Sequence, residues 1–257
     1  MPAQPEPPEP PELQSHLPAG RRVSFLTVSA DQVAQALAVD VAARLRQAID
    51  SRGRAVLHVS GGQSPVALFE ALREQDLPWE HVEVSLADER VVPAEHPDSN
   101  ARLVHTHLLQ GPAARACFLP LLPPLLSSLP AQSWAELAEQ AGQALGAQGP
   151  ADVLVLGMGA DGHTASIFPG MPNLAQALDP QGKPVCLPVA PEGLPAAAAH
   201  ARITQTLAHL LTARHIVLPV RGSDKLQTLR HACRTRELPI SHVLHQSLAP
   251  VAVWISS

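Results

Sequence analysis

Residues 153–166 combine an apolar run with a glycine-rich turn, and this stretch constrains the fold of the chain more than any other. The run Val153–Leu156 predicts a strand buried on both faces, as in a parallel sheet. Gly157, Gly159 and Gly162 then end the strand, because glycine adopts backbone geometry that other residues resist. Open α/β sheets bind ligands just beyond the carboxyl ends of their strands, so this turn is a candidate site.

Two residues of the turn, Asp161 and His163, are suited to proton transfer. A histidine beside a carboxylate can act as a general base near neutral pH. The spacing Gly157-x-Gly159-x-x-Gly162 also fits the dinucleotide-binding fingerprint. That fingerprint belongs in the first strand–helix unit of a domain, whereas several units precede this one. The context therefore argues against a nicotinamide-dependent oxidoreductase.

Strands and helices are predicted to alternate along the chain, which indicates the α/β class. The predicted strands are Val23–Val28, Ala55–Val59, His81–Leu86, Ala116–Leu122, Val153–Leu156, Val185–Val189, Ile216–Val220 and a final edge strand Val251–Ile255. Helices are predicted over 29–53, 65–73, 99–109, 133–145 and from residue 225, with capping boxes starting at Ser29 and Ser133. We therefore expect a mostly parallel, doubly wound sheet with helices on both faces.

The composition of the chain limits which domain organisation and which binding partners can be expected. Prolines recur through residues 1–20, which predicts a disordered tail, and residues 21–257 are expected to form a single domain. The net charge of −5 and the lack of a large basic block argue against a nucleic-acid partner. No apolar run is long enough for a membrane span, and the N-terminus does not resemble a signal peptide. Cys117, Cys186 and Cys233 show no metal or redox spacing, so we expect free thiols and a cytoplasmic enzyme or small-molecule binder.

A second candidate site is the turn Ser60-Gly61-Gly62-Gln63-Ser64-Pro65, which joins a predicted strand to a predicted helix. Pro65 suits the first helical position, Ser64 can cap, and the two glycines let the backbone approach a ligand. Free N–H groups at a helix N-terminus bind anions. The alternative is an ordinary strand–helix turn. No Gly-Lys-Ser/Thr follows, so this is not a nucleotide P-loop.

Other polar groups are individually ambiguous. Asp88 and Arg90 should point to one side of their segment and Glu89 to the other, in a charged turn that could equally be a surface ion pair. Arg202 and Lys225 are each either solvated charges or anion ligands. Several further histidines lack a consistent ligand spacing, so no metal site is expected; they are His105, His107, His231, His242 and His245. No Gly-x-Ser-x-Gly elbow supplies a serine nucleophile.

Taken together, these motifs resemble those of the 6-phosphogluconolactonases, within the wider glucosamine-6-phosphate isomerase/deaminase-like superfamily. The resemblance spans roughly residues 23–255. It rests on residues 60–65, the stretch from Asp88-Glu89-Arg90-Val91-Val92-Pro93 to Ser99-Asn100, residues 157–169, and Arg202-Ile203-Thr204 with Gly222-x-x-Lys225. The chain has Gln63-Ser64 where the family usually has Ser-Thr.

The resemblance implies hydrolysis of 6-phosphoglucono-δ-lactone in the pentose phosphate pathway, without a metal or cofactor. It implies that His163 activates water, with Asp161, Asp88 and Arg90 in the catalytic site. It further implies a phosphate site built from Ser60, Gly61, Gly62, Gln63, Ser64, Arg202 and Lys225. The only partner expected is the small sugar-phosphate lactone, and a monomer is favoured.

Two alternatives accompany this interpretation. Amino-sugar phosphate isomerases/deaminases resemble the chain through the Asp-Gly-His turn, but they typically follow it with Ile-Ala-Phe-Asn-Glu-Pro. Here Phe168 stands in place of the acidic residue, which favours the lactonase. The other alternative is the sugar-phosphate sensor domain of a transcription regulator, which needs a DNA-binding helix pair; the first twenty residues are proline-rich instead.

Overall fold

The computed structural model describes residues 10–123, 133–190, 192 and 199–256. The strands are β1 Val23–Thr27, β2 Ala55–Val59, β3 Val82–Leu86, β4 Asp88–Arg90, β5 Cys117–Phe118, β6 Val153–Val155, β7 Cys186–Val189, β8 Arg202–Gln205, β9 Ile216–Arg221 and β10 Val251–Ser256. The helices are α1 Pro10–Ser15, α2 Val33–Arg52, α3 Val66–Arg73, α4 Asn100–His107, α5 Trp134–Gln148, α6 Leu174–Ala177, α7 Leu207–Leu210, α8 Ser223–Arg234 and α9 Pro239–Leu244.

A parallel sheet of seven strands, in the order β1-β10-β9-β6-β2-β3-β5, forms the centre of the molecule. Strand β6 lies in the middle and is fully buried, because its side chains alternate between two hydrophobic cores. Val153 and Val155 face the core shared with α2, α3 and α5, whereas Leu154 and Leu156 face the core shared with α8 and α9. The prediction of an α/β sheet with helices on both faces is confirmed.

A smaller antiparallel sheet, β4-β8-β7, was not foreseen. The segment Asp88–Arg90, predicted as a turn, is one of its strands and pairs with β8. Its charged sequence is untypical of a strand, and the pairing with a distant segment decides its conformation.

Three further predictions were wrong. Val251–Ile255 is not at an edge, since β10 lies between β1 and β9. Within the predicted tail, α1 is helical, and Leu13 and Leu17 are buried in the core because α1 packs on β1 and α8. The capping box expected at Ser29 does not form, because α2 begins after Gln32 without a side-chain cap, whereas the box from Ser133 is present. Predictions for residues 1–9, for 257 and for the proline-rich stretch 124–132 lie outside the described residues.

None of the described helices has the length and apolar character that crossing a membrane would require. The cysteines are free: Cys117 is exposed, and Cys186 and Cys233 are buried.

Candidate active site

A cleft of about 200 Å³ opens where β2 and β6 end and where the small sheet meets the large one. Parallel sheets concentrate ligand sites at this position because the loops after several strands converge there. Most of the predicted site residues line the cleft, namely Ser60, Gly61, Gly62, Ser64, Asp88, Arg90, His163, Arg202 and Lys225. The fold thus brings together residues from five separate parts of the sequence.

Two predicted site residues do not line the cleft. The side chain of Gln63 is exposed, since the chain reverses at Gly62, whose φ of 88° is in the left-handed region. Asp161 lies behind His163 rather than on the cleft wall, and it contacts that ring. A direct side-chain role for Gln63 is therefore not supported, whereas Asp161 can act only through its neighbour.

The turn after β6 holds Asp161 and His163 in a fixed relation. Oδ1 of Asp161 lies 2.6 Å from Nδ1 of His163 and also accepts from the His163 backbone N–H at 3.1 Å. Because a carboxylate only accepts hydrogen bonds, Nδ1 carries the proton and the lone pair of a neutral ring remains at Nε2. The ring packs on Phe168, with centroids 4.5 Å apart. This arrangement is suited to accepting a proton.

Gly159 makes this pair possible. A Cβ at this position would lie 2.2 Å from Nδ1 of His163 and 2.5 Å from Oδ1 of Asp161. Burial alone would raise the pKa of Asp161, but hydrogen bonds from His163 outweigh it and leave that pKa below its usual value. Asp161 is therefore an ionised hydrogen-bond acceptor at neutral pH.

The turn before α3 forms the opposite wall of the cleft. The Nζ of Lys225, in the first turn of α8, donates to Oγ of Ser64 at 3.1 Å, so the serine does not cap α3 as predicted. Oγ of Ser60 accepts from the Gly157 N–H at 3.1 Å and joins the two glycine turns. Burial lowers the pKa of Lys225. The N-termini of α3 and α8 thus meet beside an ammonium group, a favourable environment for an anion.

Two arginines from the small sheet complete the cleft. Arg90 and Arg202 are register partners on β4 and β8. Nη1 of Arg202 lies 3.8 Å from Oδ2 of Asp88, and its guanidinium lies 5.3 Å from the ring centre of Phe168. Burial lowers the pKa of Arg202 while the Asp88 charge opposes this shift, and the group stays charged.

Ser166 joins Asp88 and Arg202, because its hydroxyl donates to Asp88 Oδ2 at 2.5 Å and accepts from Arg202 Nη1 at 3.4 Å. It follows Ala165, which has a φ of 48°. Backbone strain of this kind is typical of functional sites. Nothing in the local sequence distinguished Ser166 from an ordinary turn serine, so it was missed.

Glu89 points away from the cleft, as the strand alternation predicted. Its buried carboxylate accepts from the backbone N–H groups of Asn100 and Ala101, both at 2.7 Å, and from the Ser99 hydroxyl at 3.1 Å. Burial raises the pKa of Glu89, although the backbone hydrogen bonds oppose this rise. The carboxylate fixes the N-terminus of α4 against β4.

Asn100 is a cleft residue that sequence reasoning did not assign. Its Nδ2 donates to the Asp88 carbonyl at 2.8 Å, and its side chain fills the space where a Cβ of Gly61 would stand. Among the described residues, buried polar atoms without a hydrogen-bond partner include Asn100 Oδ1, Arg90 Nε and Arg202 Nε. All three belong to residues that line the cleft. Buried polar atoms are rarely left unpaired, so these atoms mark where a polar ligand fits.

Residues 28–254 match the family described as glucosamine-6-phosphate isomerases/6-phosphogluconolactonase. A protein named 6-phosphogluconolactonase from Pseudomonas aeruginosa is 47% identical over 235 residues, which cover 90% of this chain and 94% of the relative. Another with that name, from Rhizobium meliloti, is 42% identical and covers 86% and 93%.

The solved structures agree. A 6-phosphogluconolactonase from Shewanella baltica aligns with a TM-score of 0.82 and 37% identity, covering 91% of this chain and 97% of that structure. A monomeric glucosamine-6-phosphate deaminase aligns with a TM-score of 0.71 at 16% identity, which shows a shared fold alone. The chain belongs to the glucosamine-6-phosphate isomerase/6-phosphogluconolactonase family.

Proposed function

We propose that the chain is an enzyme that hydrolyses 6-phospho-D-glucono-1,5-lactone to 6-phospho-D-gluconate, within the oxidative pentose phosphate pathway. The observation that carries this proposal is the placement of a His163–Asp161 pair and a Lys225–Ser64 anion turn in one cleft. The two relatives described above, which are 42–47% identical to this chain, are both named 6-phosphogluconolactonase. A lactone with a remote phosphate needs both a base and an anion site.

In the proposed reaction, Nε2 of His163 takes a proton from a water molecule as the water oxygen bonds to the lactone carbonyl carbon. The tetrahedral intermediate collapses by breaking the bond from that carbon to the ring oxygen. The imidazolium returns its proton to the ring oxygen, and the new carboxylic acid ionises. Asp161 keeps the ring in the required tautomer and stabilises its charged form. No covalent intermediate, metal ion or redox cofactor is needed.

The proposed phosphate site is the turn at residues 60–64 together with Lys225 and Arg202. Binding energy from the phosphate, remote from the reacting carbonyl, orients that carbonyl toward His163. Asp88, Arg90 and Asn100 line the remaining wall, where polar atoms can meet the hydroxyl groups of the sugar. Every group in this scheme comes from one chain, so the reaction as proposed does not require a second subunit.

We place the enzyme in the cytoplasm. A sugar phosphate is charged and does not cross a bilayer unaided, so the enzyme must share a compartment with the reaction that forms its substrate. Free thiols at Cys117, Cys186 and Cys233 agree with a reducing environment.

The family also includes deaminases, so the decisive experiment compares both reactions on one preparation. Lactone generated in place from glucose 6-phosphate is followed by pH-indicator absorbance, and ammonia release is measured with glucosamine 6-phosphate. We expect lactone loss well above the spontaneous rate and no ammonia. Ammonia release without lactone hydrolysis would refute the assignment. Phe168, which stands where deaminases typically carry an acidic residue, supports the expected outcome.

A further inference from the structure

Three side chains with metal-ligating atoms converge beside the cleft but do not line it: His96, Asp98 and His200. Oδ2 of Asp98 lies 2.8 Å from Nε2 of His200 and 3.9 Å from Nδ1 of His96. One ligand atom from each residue lies within 4.8 Å of the other two. In the described ranges this is the one group of three or more such side chains with that spacing.

The two distances from Asp98, 2.8 Å and 3.9 Å, lie on either side of the separation that a tetrahedrally coordinated ion requires. With bonds of about 2.0–2.1 Å, neighbouring ligand atoms lie roughly 3.3 Å apart, and two imidazole centres lie roughly 5 Å apart. The rings of His96 and His200 have centroids 5.2 Å apart and are inclined at 78°. We propose that His96, Asp98 and His200 bind one divalent transition-metal ion of the zinc type, with water in the fourth position.

When a metal ion binds at this site, bonds to the ion replace hydrogen bonds that the three side chains make without it. Nδ1 of His96 now accepts from the Asp98 backbone N–H at 3.1 Å, so the ion must replace that bond. Nε2 of His200 must carry no proton when it binds, and the Asp98 carboxylate is ionised at neutral pH. All three side chains are about one-third exposed or more, which leaves a path for the ion from solvent.

The position suggests what the ion does. His96 and Asp98 lie in the loop after β4, and His200 lies just before β8, so the ion would join the two segments. This loop also contacts Arg90 of β4, whose Nη1 donates to the Asp98 carbonyl at 2.6 Å. His200 precedes Arg202 by two residues. The ion is therefore a structural support for the two arginines and takes no part in the proton transfer.

Other histidine–carboxylate pairs provide internal controls. His231 lies 3.0 Å from Glu237, and His107 lies 2.9 Å from Glu70. Neither pair belongs to a group of three ligands in the part of the chain that the structure describes. Cys117 has an exposed thiol, a good zinc ligand in general, so it is replaced by serine in every protein that is tested.

The test is a titration of chelator-treated Cys117→Ser protein with ZnCl₂ at pH 7.5, by competition with a chromogenic chelator. We compare this parent with His96→Gln, His200→Gln and the control His231→Gln. One ion per chain is expected in the parent and in the control. Each of the other two variants should bind at least tenfold more weakly, because two ligands hold zinc poorly.

A second readout keeps the result independent of enzyme activity. Zinc should raise the thermal midpoint of the parent and of His231→Gln, since it binds the native state, but not that of His200→Gln. Circular dichroism without zinc shows whether each variant is folded. The proposal would be overturned if the folded parent takes up no zinc, or if folded His96→Gln and His200→Gln bind zinc as tightly as the parent does.

Discussion

Nδ1 of His163 and Oδ1 of Asp161 are 2.6 Å apart, and Gly159 is the residue whose lack of a side chain leaves room for both. The pair occupies a turn of the backbone rather than two separate elements, so its geometry is local. Nε2 is left for the cleft, and the ring rests on Phe168. This relation makes specific predictions about activity and stability.

The first prediction separates catalysis from folding at His163. His163→Asn should lower kcat by about 10²-fold or more, because it removes the base. The thermal midpoint should barely change, since the ring is about one-third exposed. Asp161→Asn should also lower kcat, because an amide favours the wrong ring tautomer. A His163→Asn enzyme with full kcat, or one that has lost its fold by circular dichroism, would contradict the proposed role.

The second prediction concerns Gly159. Gly159→Ala should lower kcat by about 10²-fold without abolishing folding, because the added Cβ would displace the His163 ring and the Asp161 carboxylate. The matched control is Gly146→Ala within α5, where a Cβ meets no described atom within 4 Å. That change should leave kcat unaltered and stabilise the protein by about 0.5–1 kcal/mol. The measurements are steady-state kinetics and urea unfolding of both variants. If Gly159→Ala has the same kcat as Gly146→Ala, the steric explanation is wrong.

The third prediction concerns the anion turn. Lys225→Ala should raise KM for the phosphorylated lactone about tenfold or more, because a charge-assisted hydrogen bond contributes roughly 1.5–3 kcal/mol. Glucono-lactone without the phosphate should be a poor substrate that hardly responds to the change. Lys183→Ala serves as the control for loss of one positive charge. Equal losses with both lactones would mean that Lys225 does not bind phosphate.

Substitution by alanine is unsuitable for testing Arg202 in the same comparison of the two lactones. Removing its side chain would leave the buried Asp88 carboxylate without its cation, so Arg202→Ala should also destabilise the fold. Arg202→Lys keeps the charge but loses the planar contact with Phe168. We expect it to fold normally and to raise KM for the phosphorylated lactone. An unchanged KM would place Arg202 outside the binding of substrate.

The fourth prediction is a pH dependence of stability that does not involve the cleft. Burial lowers the pKa of His58, although its hydrogen bonds with Gln148 and Gln205 oppose this shift, and burial lowers the pKa of His209 to about 4. Both rings are neutral in the folded protein, whereas an unfolded histidine takes up a proton near ~6.5. As pH falls from about 6.5 toward 4, the unfolded state therefore binds more protons and stability declines.

Each histidine contributes at most about 1.4 kcal/mol per pH unit in this window. Urea unfolding at pH 7.5, 6 and 5 measures how steeply the free energy of unfolding falls with pH. His209→Gln should make this dependence on pH less steep. Carboxylates titrate in both proteins, so the difference between them isolates the histidine. A slope that does not change in His209→Gln would show that this ring is not protonated on unfolding.

Much of the fold could be predicted because its signals are local. Strand β2 was predicted at its observed bounds, and β6 was predicted correctly apart from its last residue. Its run of apolar residues has few alternatives to a central strand, since both faces need covering. The turn after it is marked equally well by Gly162, because few other residues tolerate its φ of 80°. The family and the α/β class are confirmed; the individual roles of the site residues stay predictions.

What the sequence determined by itself was therefore most of the strand–turn–helix units and the short distance between Asp161 and His163, which lie in one turn. Tertiary structure alone decided which turns meet. Asp88–Arg90 forms a strand only because it pairs with β8. Strand β10 lies inside the sheet because it pairs with β1 on one side and with β9 on the other. Asn100 and Ser166 gained their positions in the same way. Contacts between residues far apart in sequence depend on packing of the whole chain, which local propensity does not encode.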